Sequence, residues 1–162
     1  VTAEANDRFN RGGAGLRLMK QAWVDGAILG AALSTFATYR NRTVRLSVVG
    51  GFSGEVALTN LSVIKSRFFS GSFHYDDGPA ADDGLLGVRV CRDMGRSEML
   101  ATLNAMSKGR FNGRPKTFGT SAVSVTVEAR GGEPLAVETD GEVGLASKVV
   151  LGVRPREVML CP

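Results

Sequence analysis

The stretch Asp82-Asp83-Gly84-Leu85-Leu86, running on through Gly87 to Val90, sets two carboxylates and a glycine turn against the start of an apolar run. Residues 85–90 read as a strand, so the acids are held at the mouth of a sheet, a place suited to a cation. Asp140-Gly141-Glu142 repeats the acid-glycine pattern in a second β-rich region, and an antiparallel fold could bring the two turns together. Asp-Gly is also a routine turn dipeptide, because glycine accepts positive φ and aspartate bonds its own backbone. On that plainer reading each turn is punctuation between strands.

Short alternating segments surround these turns. Residues 42–49 alternate polar and apolar side chains up to Gly50-Gly51, and residues 55–64 follow as a second strand, which predicts a hairpin. Asn60 lies in that second strand as either a ligand-facing amide or a hydrogen-bonded structural one. Residues 65–81 have no clear period and read as loop. They hold Phe68, Phe69, Phe73 and Tyr75 beside Lys65 and Arg67, which suits either lipid contact or a small satellite core. His74 is the one histidine, so a multi-histidine metal site cannot be assembled, and packing is its expected role. Ser97 is placed to cap a helix reaching about Lys108, with Met99, Leu100, Leu103 and Met106 on its apolar stripe and Gly109 as the stop. The basic turn at residues 110–116 is either solvated or faces phosphate. Strands are expected at 122–129, 135–139 and 148–153, with a short one at 157–161.

Towards the amino end, residues 16–39 repeat large apolar side chains at helical spacing, with Trp23 on the stripe. Residues 1–15 read as a disordered or linking lead-in. Their Gly12-Gly13-Ala14-Gly15 lacks both the preceding strand and the following Lys-Ser or Lys-Thr of a phosphate loop. Residues 16–162 are then expected as one domain, a length sufficient for a proper core. The apolar window at 22–37 contains Asp25 and falls short of the roughly 20 residues a membrane span needs. The chain starts at Val1 without a signal-peptide pattern, and is expected to be a piece of something longer.

Twenty-one glycines between Val, Leu and Thr runs indicate turn-rich β architecture. Twenty Lys and Arg against 16 Asp and Glu leave +4, a modest bias towards phosphates or acidic lipid surfaces. No basic run or RNA-binding aromatic consensus accompanies it, so nucleic acid is set aside as a partner. Cys91 and Cys161 have no metal-ligand spacing and read as buried thiols in a reducing cytosol.

In order and setting, these motifs resemble the C-terminal domain of the diacylglycerol and sphingosine kinase family, in particular its bacterial lipid kinases. The resemblance runs from Leu16 to Pro162 and rests on a helix before the strand Thr43 to Val49, then Thr59-Asn60. Asp82-Asp83-Gly84-Leu85-Leu86 at a strand start, the helix stop Lys108-Gly109-Arg110, Thr139-Asp140-Gly141-Glu142, and Arg154-Pro155 complete it. It implies a mainly β, sandwich-like domain with helices, of the NAD kinase/diacylglycerol kinase-like fold. It also implies an ATP-dependent kinase acting on a lipid hydroxyl, of diacylglycerol or sphingoid type, cytoplasmic and peripheral at the membrane. A homodimer is left open. The family's ATP-binding N-terminal domain, with its Gly-Gly-Asp-Gly-Thr motif, has no counterpart in this chain, which would be inactive without it.

Residue by residue, Glu142 matches the family's proposed general base, with Asp140 aligning the turn or a metal-bound water. Asp83 matches a cation position, with the carbonyls of Ala80 and Leu85 completing an oxygen shell for Mg²⁺. Asn60, Phe68 and Phe69 are candidates for substrate contact. The chain departs from the family where residues 73–81 lack the usual Pro-x-Ala-x-Leu lead and the preceding glycine-rich segment shrinks to Ser70-Gly71-Ser72. Those departures bear on the cation shell and on lipid specificity. Nicotinamide-nucleotide kinases are a related alternative whose soluble substrate gives no reason for the aromatic loop. The rival from another class is a non-catalytic β-sandwich module binding lipid or protein.

Overall fold

Val44, Leu46 and Val48 alternate with more exposed neighbours, the period-two pattern of a strand with one face buried, and they form the inner face of β1 (Arg42–Val48). The computed structural model describes residues 3–4, 35, 38–69 and 73–154. The expected strand at 157–161, the glycine loop at 12–15, Trp23 and Cys161 lie outside these residues, as does nearly all of the helix at 16–39. At the end of that helix the Tyr39 N–H donates to the Thr35 carbonyl at 2.7 Å, the i to i−4 spacing of an α-helix.

The chain divides into two compact units, one from Val1–Arg40 with Gly132–Ser147 and the other from Asn41–Gly131 with Lys148–Pro162. The second unit holds a six-stranded sheet in the order β10-β7-β1-β2-β5-β6, every neighbouring pair antiparallel. Its strands are β1, β2 (Ser53–Ile64), β5 (Leu86–Arg92), β6 (Thr117–Ala122), β7 (Ser124–Ala129) and β10 (Lys148–Gly152). The same unit carries the small pair β3 (Phe68–Phe69) and β4 (Phe73–His74), inside a span expected to be loop.

The strand expected at 122–129 begins only at Ser124, because the chain turns a corner at Val123 after β6, a strand not expected from sequence. β6 pairs with β5 at one edge, whereas β7 lies between β1 and β10 near the other. In a flat sheet those two positions would be about 19 Å apart, four strand spacings. One residue spans at most about 7 Å between its flanking Cα atoms. The sheet therefore folds over on itself, with Val123 as the bend where a strand changes layer. The rings of Phe52, just before β2, and Phe118, in β6, meet at 5.6 Å across the fold.

β2 breaks its own alternation at a bulge. The register against β5 shifts between Leu58 and Asn60, and Leu58 and Thr59 are both buried. The Thr59 hydroxyl donates to Asn41 Oδ1 at 2.7 Å and accepts the Met94 N–H at 3.0 Å, so its polar atom is satisfied inside. β5 is buried from Gly87 through Cys91, as befits a strand covered on both faces.

The helix α1 (Arg96–Met106) begins two residues earlier than a Ser97 cap would place it, with Gly95 as its cap residue. The Gly95 N–H donates to Glu98 Oε2 at 2.7 Å, half of a capping box. Its buried stripe is Met99, Thr102, Ala105 and Met106, while Leu100 is exposed, which corrects the expected stripe. No helix among the described residues is long and apolar enough to cross a membrane.

Candidate functional site

Antiparallel pairing of Val63 with Val88 and Ile64 with Gly87 carries the chain out of β2 directly beside the start of β5. Lys65 is the next residue, and its side chain enters the turn at residues 80–85. Lys65 Nζ donates to the Ala80 carbonyl at 2.6 Å, to Asp83 Oδ1 at 2.6 Å and to the Leu85 carbonyl at 2.9 Å. Asp83 also holds the turn, accepting the Ala80 N–H on Oδ2 and the Leu85 N–H on Oδ1, each at 2.8 Å. The Lys65 hydrogen bond, followed by that from Leu85, holds the Asp83 carboxyl below the usual carboxylate range. The three oxygens that the family resemblance implies as a Mg²⁺ shell here close around the Lys65 ammonium. As they stand they do not fit that ion, which requires near-octahedral oxygen ligands at about 2.0–2.1 Å. Among the described residues, no cluster of three or more Asp, Glu, His or Cys side chains offers another metal site.

The second acidic turn belongs to the other unit. β8 (Leu135–Thr139) and β9 (Glu142–Ala146) pair from Leu135 with Ala146 down to Thr139 with Glu142, leaving Asp140-Gly141 as a two-residue loop. Asp140 has φ 50° and Gly141 φ 85°, the positive pair that a tight twisted hairpin demands. Asp140 is thus a residue of the turn itself, and Glu142 is the first residue after it. Glu142 is exposed and is the first residue of β9. β9 was not anticipated from sequence, since its Glu-Val-Gly-Leu-Ala run is short and glycine-interrupted.

The aromatic segment turns most of its rings inward and leaves one exposed. Phe69 stacks on Tyr75 at 4.8 Å and lies 6.1 Å from Phe73, and Tyr75 meets Phe111 edge-on at 5.0 Å. Tyr75 and Phe111 are fully buried, so a satellite core exists. Burial pushes the Tyr75 phenol up to about 12, although its hydroxyl donates to Ser62 Oγ at 2.8 Å. Phe68 instead remains 65% exposed, with the Arg67 guanidinium 5.3 Å from its ring centre. His74 packs its ring 5.7 Å from that of Phe68. Asn60 sits at the β2 bulge, half-buried, its amide 3.4 Å from Ser62 Oγ. Burial pushes the Cys91 thiol up to about 12, which leaves it no use as a nucleophile or ligand.

Arg89 is the site-forming residue that sequence reading passed over. It is a charged side chain inside the apolar run of β5, and that position was the available signal. Its side chain is 5% exposed and pairs with Asp77 Oδ1 at 2.5 Å. It also donates to the carbonyls of Val88 and Thr120 at 3.2 Å, and lies 5.8 Å from the Tyr75 ring centre. A cleft of about 240 Å³ opens here between Arg89, Asp77, Asn112 and residues 119–121. The basic turn beyond α1 is tied down: Lys116 pairs with Glu98 at 2.8 Å and Arg114 Nε donates to Thr102 Oγ1 at 3.4 Å.

A folded-over antiparallel sheet with a helix inserted between β5 and β6 and an acidic hairpin inserted between β7 and β10 defines the class of domain. The chain belongs to the family described as the YegS C-terminal NAD kinase beta sandwich-like domain, whose model matches residues 8–161. Its fold is shared with the crystal structure of a diacylglycerol kinase from Bacillus anthracis str. Sterne, at 17% identity and TM-score 0.53 over 75% of this chain and 43% of that one. A candidate diacylglycerol kinase from the same strain matches at 23% identity and TM-score 0.51, over 76% and 42%. The chain thus spans less than half the length of these structures. No curated protein matches it.

Proposed function

We propose that this chain is the substrate-side, C-terminal part of an ATP-dependent lipid kinase, transferring the γ-phosphate to a lipid hydroxyl of diacylglycerol or sphingoid type. The family match over residues 8–161 carries the reading, and the exposed Glu142 at a rigid hairpin mouth supplies the group the chemistry needs. In this reaction the Glu142 carboxylate accepts the proton of the attacking lipid hydroxyl. The lipid oxygen forms a bond to the γ-phosphorus, the bond from that phosphorus to the bridging oxygen breaks, and ADP leaves with the electron pair. ATP is bound by an N-terminal domain outside this chain, which by itself is inactive. Mg²⁺ carried on the ATP phosphates would supply charge neutralisation there. Phe68 and Arg67 form the peripheral contact with a cytoplasmic membrane surface, the ring entering the acyl boundary and the cation meeting acidic headgroups.

Transfer of labelled phosphate from ATP to a mixed lipid extract by the full-length protein tests the reading. Wild type should label one lipid class, and Glu142→Gln should lower the yield by about a hundredfold or more, the usual span for a lost general base. Unchanged labelling by Glu142→Gln would remove it as the base. A folded, ATP-binding full-length protein that labels no lipid would move the reading to a non-catalytic lipid-binding module.

A further inference from the structure

We propose that Lys65 is a tethered cation that occupies the oxygen set of the Asp83 turn and makes that turn independent of divalent metal. An ammonium has three N–H donors and no acceptor. Here the three donors meet three acceptors of mixed origin, the Ala80 and Leu85 carbonyls and the Asp83 carboxylate, at 2.6, 2.9 and 2.6 Å. Two carbonyls and a carboxylate converging from a turn of six residues make a cation cradle, and the cation is part of the chain.

Lys65 reaches this place by backbone pairing rather than by chance orientation. Ile64 is held opposite Gly87 in the sheet, so the next residue is delivered to the mouth of the turn. Its side chain is 33% exposed and that of Asp83 26%, and the cradle lies at the surface. The carboxylate has little left to offer, since Asp83 already accepts from Lys65 and from the Leu85 and Ala80 amides. An incoming Mg²⁺ would have to expel a like charge anchored by the sheet, and to find half of its six ligands in water. The sulfur-free, all-oxygen character of the cradle predicts what replaces the ammonium when it is removed: a hard divalent ion.

The test is Mn²⁺ binding to the full-length protein without nucleotide, counted by the loss of the free-ion electron paramagnetic resonance signal. Wild type and Asp83→Asn should bind the same number of ions. Lys65→Met should bind one more per chain, and Lys65→Met/Asp83→Asn should lose it. An Asp83-dependent Mn²⁺ in wild type would overturn the proposal, and so would a folded Lys65→Met protein that gains none. Should Lys65→Met fail to fold, wild type still decides: Mn²⁺ broadening of the Ala80 and Leu85 amide resonances overturns the proposal, and sharp resonances there support it. The readout is bound metal, not phosphorylated lipid, so this result stands apart from the success or failure of the kinase reading.

Discussion

Asp76 and Arg89 show how single polar residues lock the loop side of β5. Asp76 Oδ1 accepts the backbone N–H of Phe111 and that of Asn112, the latter at 3.1 Å, pinning the turn that buries Phe111. Burial alone would raise its pKa, but the Phe111, Asn112 and Asp76 amides outweigh that and hold it below the usual aspartate range. The stability it contributes is therefore present above the unfolded aspartate pKa and lost as pH falls through the lower folded value. Asp76→Ala should cost about 1 kcal/mol at neutral pH, the site being partly exposed. Urea denaturation across pH should show the gap between wild type and variant closing in acid. Gly119 lies opposite Arg89 in the β5–β6 ladder, where a Cβ would stand 3.1 Å from Arg89 Cδ and 3.3 Å from Nε. The guanidinium is held by Asp77 and two carbonyls and cannot yield freely. Gly119→Ala should destabilise by about 1–3 kcal/mol as overpacking, read as a shift in the urea midpoint.

The β8–β9 hairpin is the element on which the proposed chemistry depends. Its turn needs positive φ at both Asp140 and Gly141, and only glycine takes φ 85° without strain. Gly141→Ala should cost about 1–2 kcal/mol locally. Amide hydrogen exchange should report this as faster exchange confined to residues 135–146, with β1 and β2 unchanged; equal acceleration throughout would mean the hairpin does not open separately from the sheet. The same variant tests whether Glu142 works from a fixed position, since a loosened hairpin should lower lipid labelling by the full-length protein even with the carboxylate intact.

For the molecule as a whole, the proposed membrane contact rests on one exposed ring. Phe68 is exposed and lies beside Arg67, while its neighbours Phe69, Tyr75 and Phe111 stack inward and support the strand it stands on. Burying the exposed part of that ring in the acyl boundary is worth about 1–2 kcal/mol. Phe68→Ser in the full-length protein should therefore lower partitioning onto anionic vesicles about tenfold, measured by flotation. Unchanged partitioning would take Phe68 out of the contact. Folding the sheet over at Val123 is the other feature at this scale, and it turns a single ladder of six strands into two layers that share a core of Val44, Leu46, Val88, Val90 and Val125.

Most strands were legible because alternation is a local signal: Val44, Leu46 and Val48 declare a buried face without help from any other element. The Asp140-Gly141 turn was legible for the same reason, as its dipeptide suits one backbone conformation. The family resemblance, too, was carried by short motifs in order, and the match over residues 8–161 bears it out. What sequence could not supply was pairing at a distance. The break at Val123 depends on β6 and β7 having partners at opposite ends of the sheet. The burial of Arg89 depends on the loop at Tyr75 and Asp77, before β5, and on the neighbouring β6. Lys65 reads in the sequence only as a cation beside the aromatic segment, because its role exists only once β2 and β5 are in register and three oxygens 15 to 20 residues away close around its ammonium. Local chemistry selected the oxygens of the Asp83 turn; tertiary pairing selected the cation they hold.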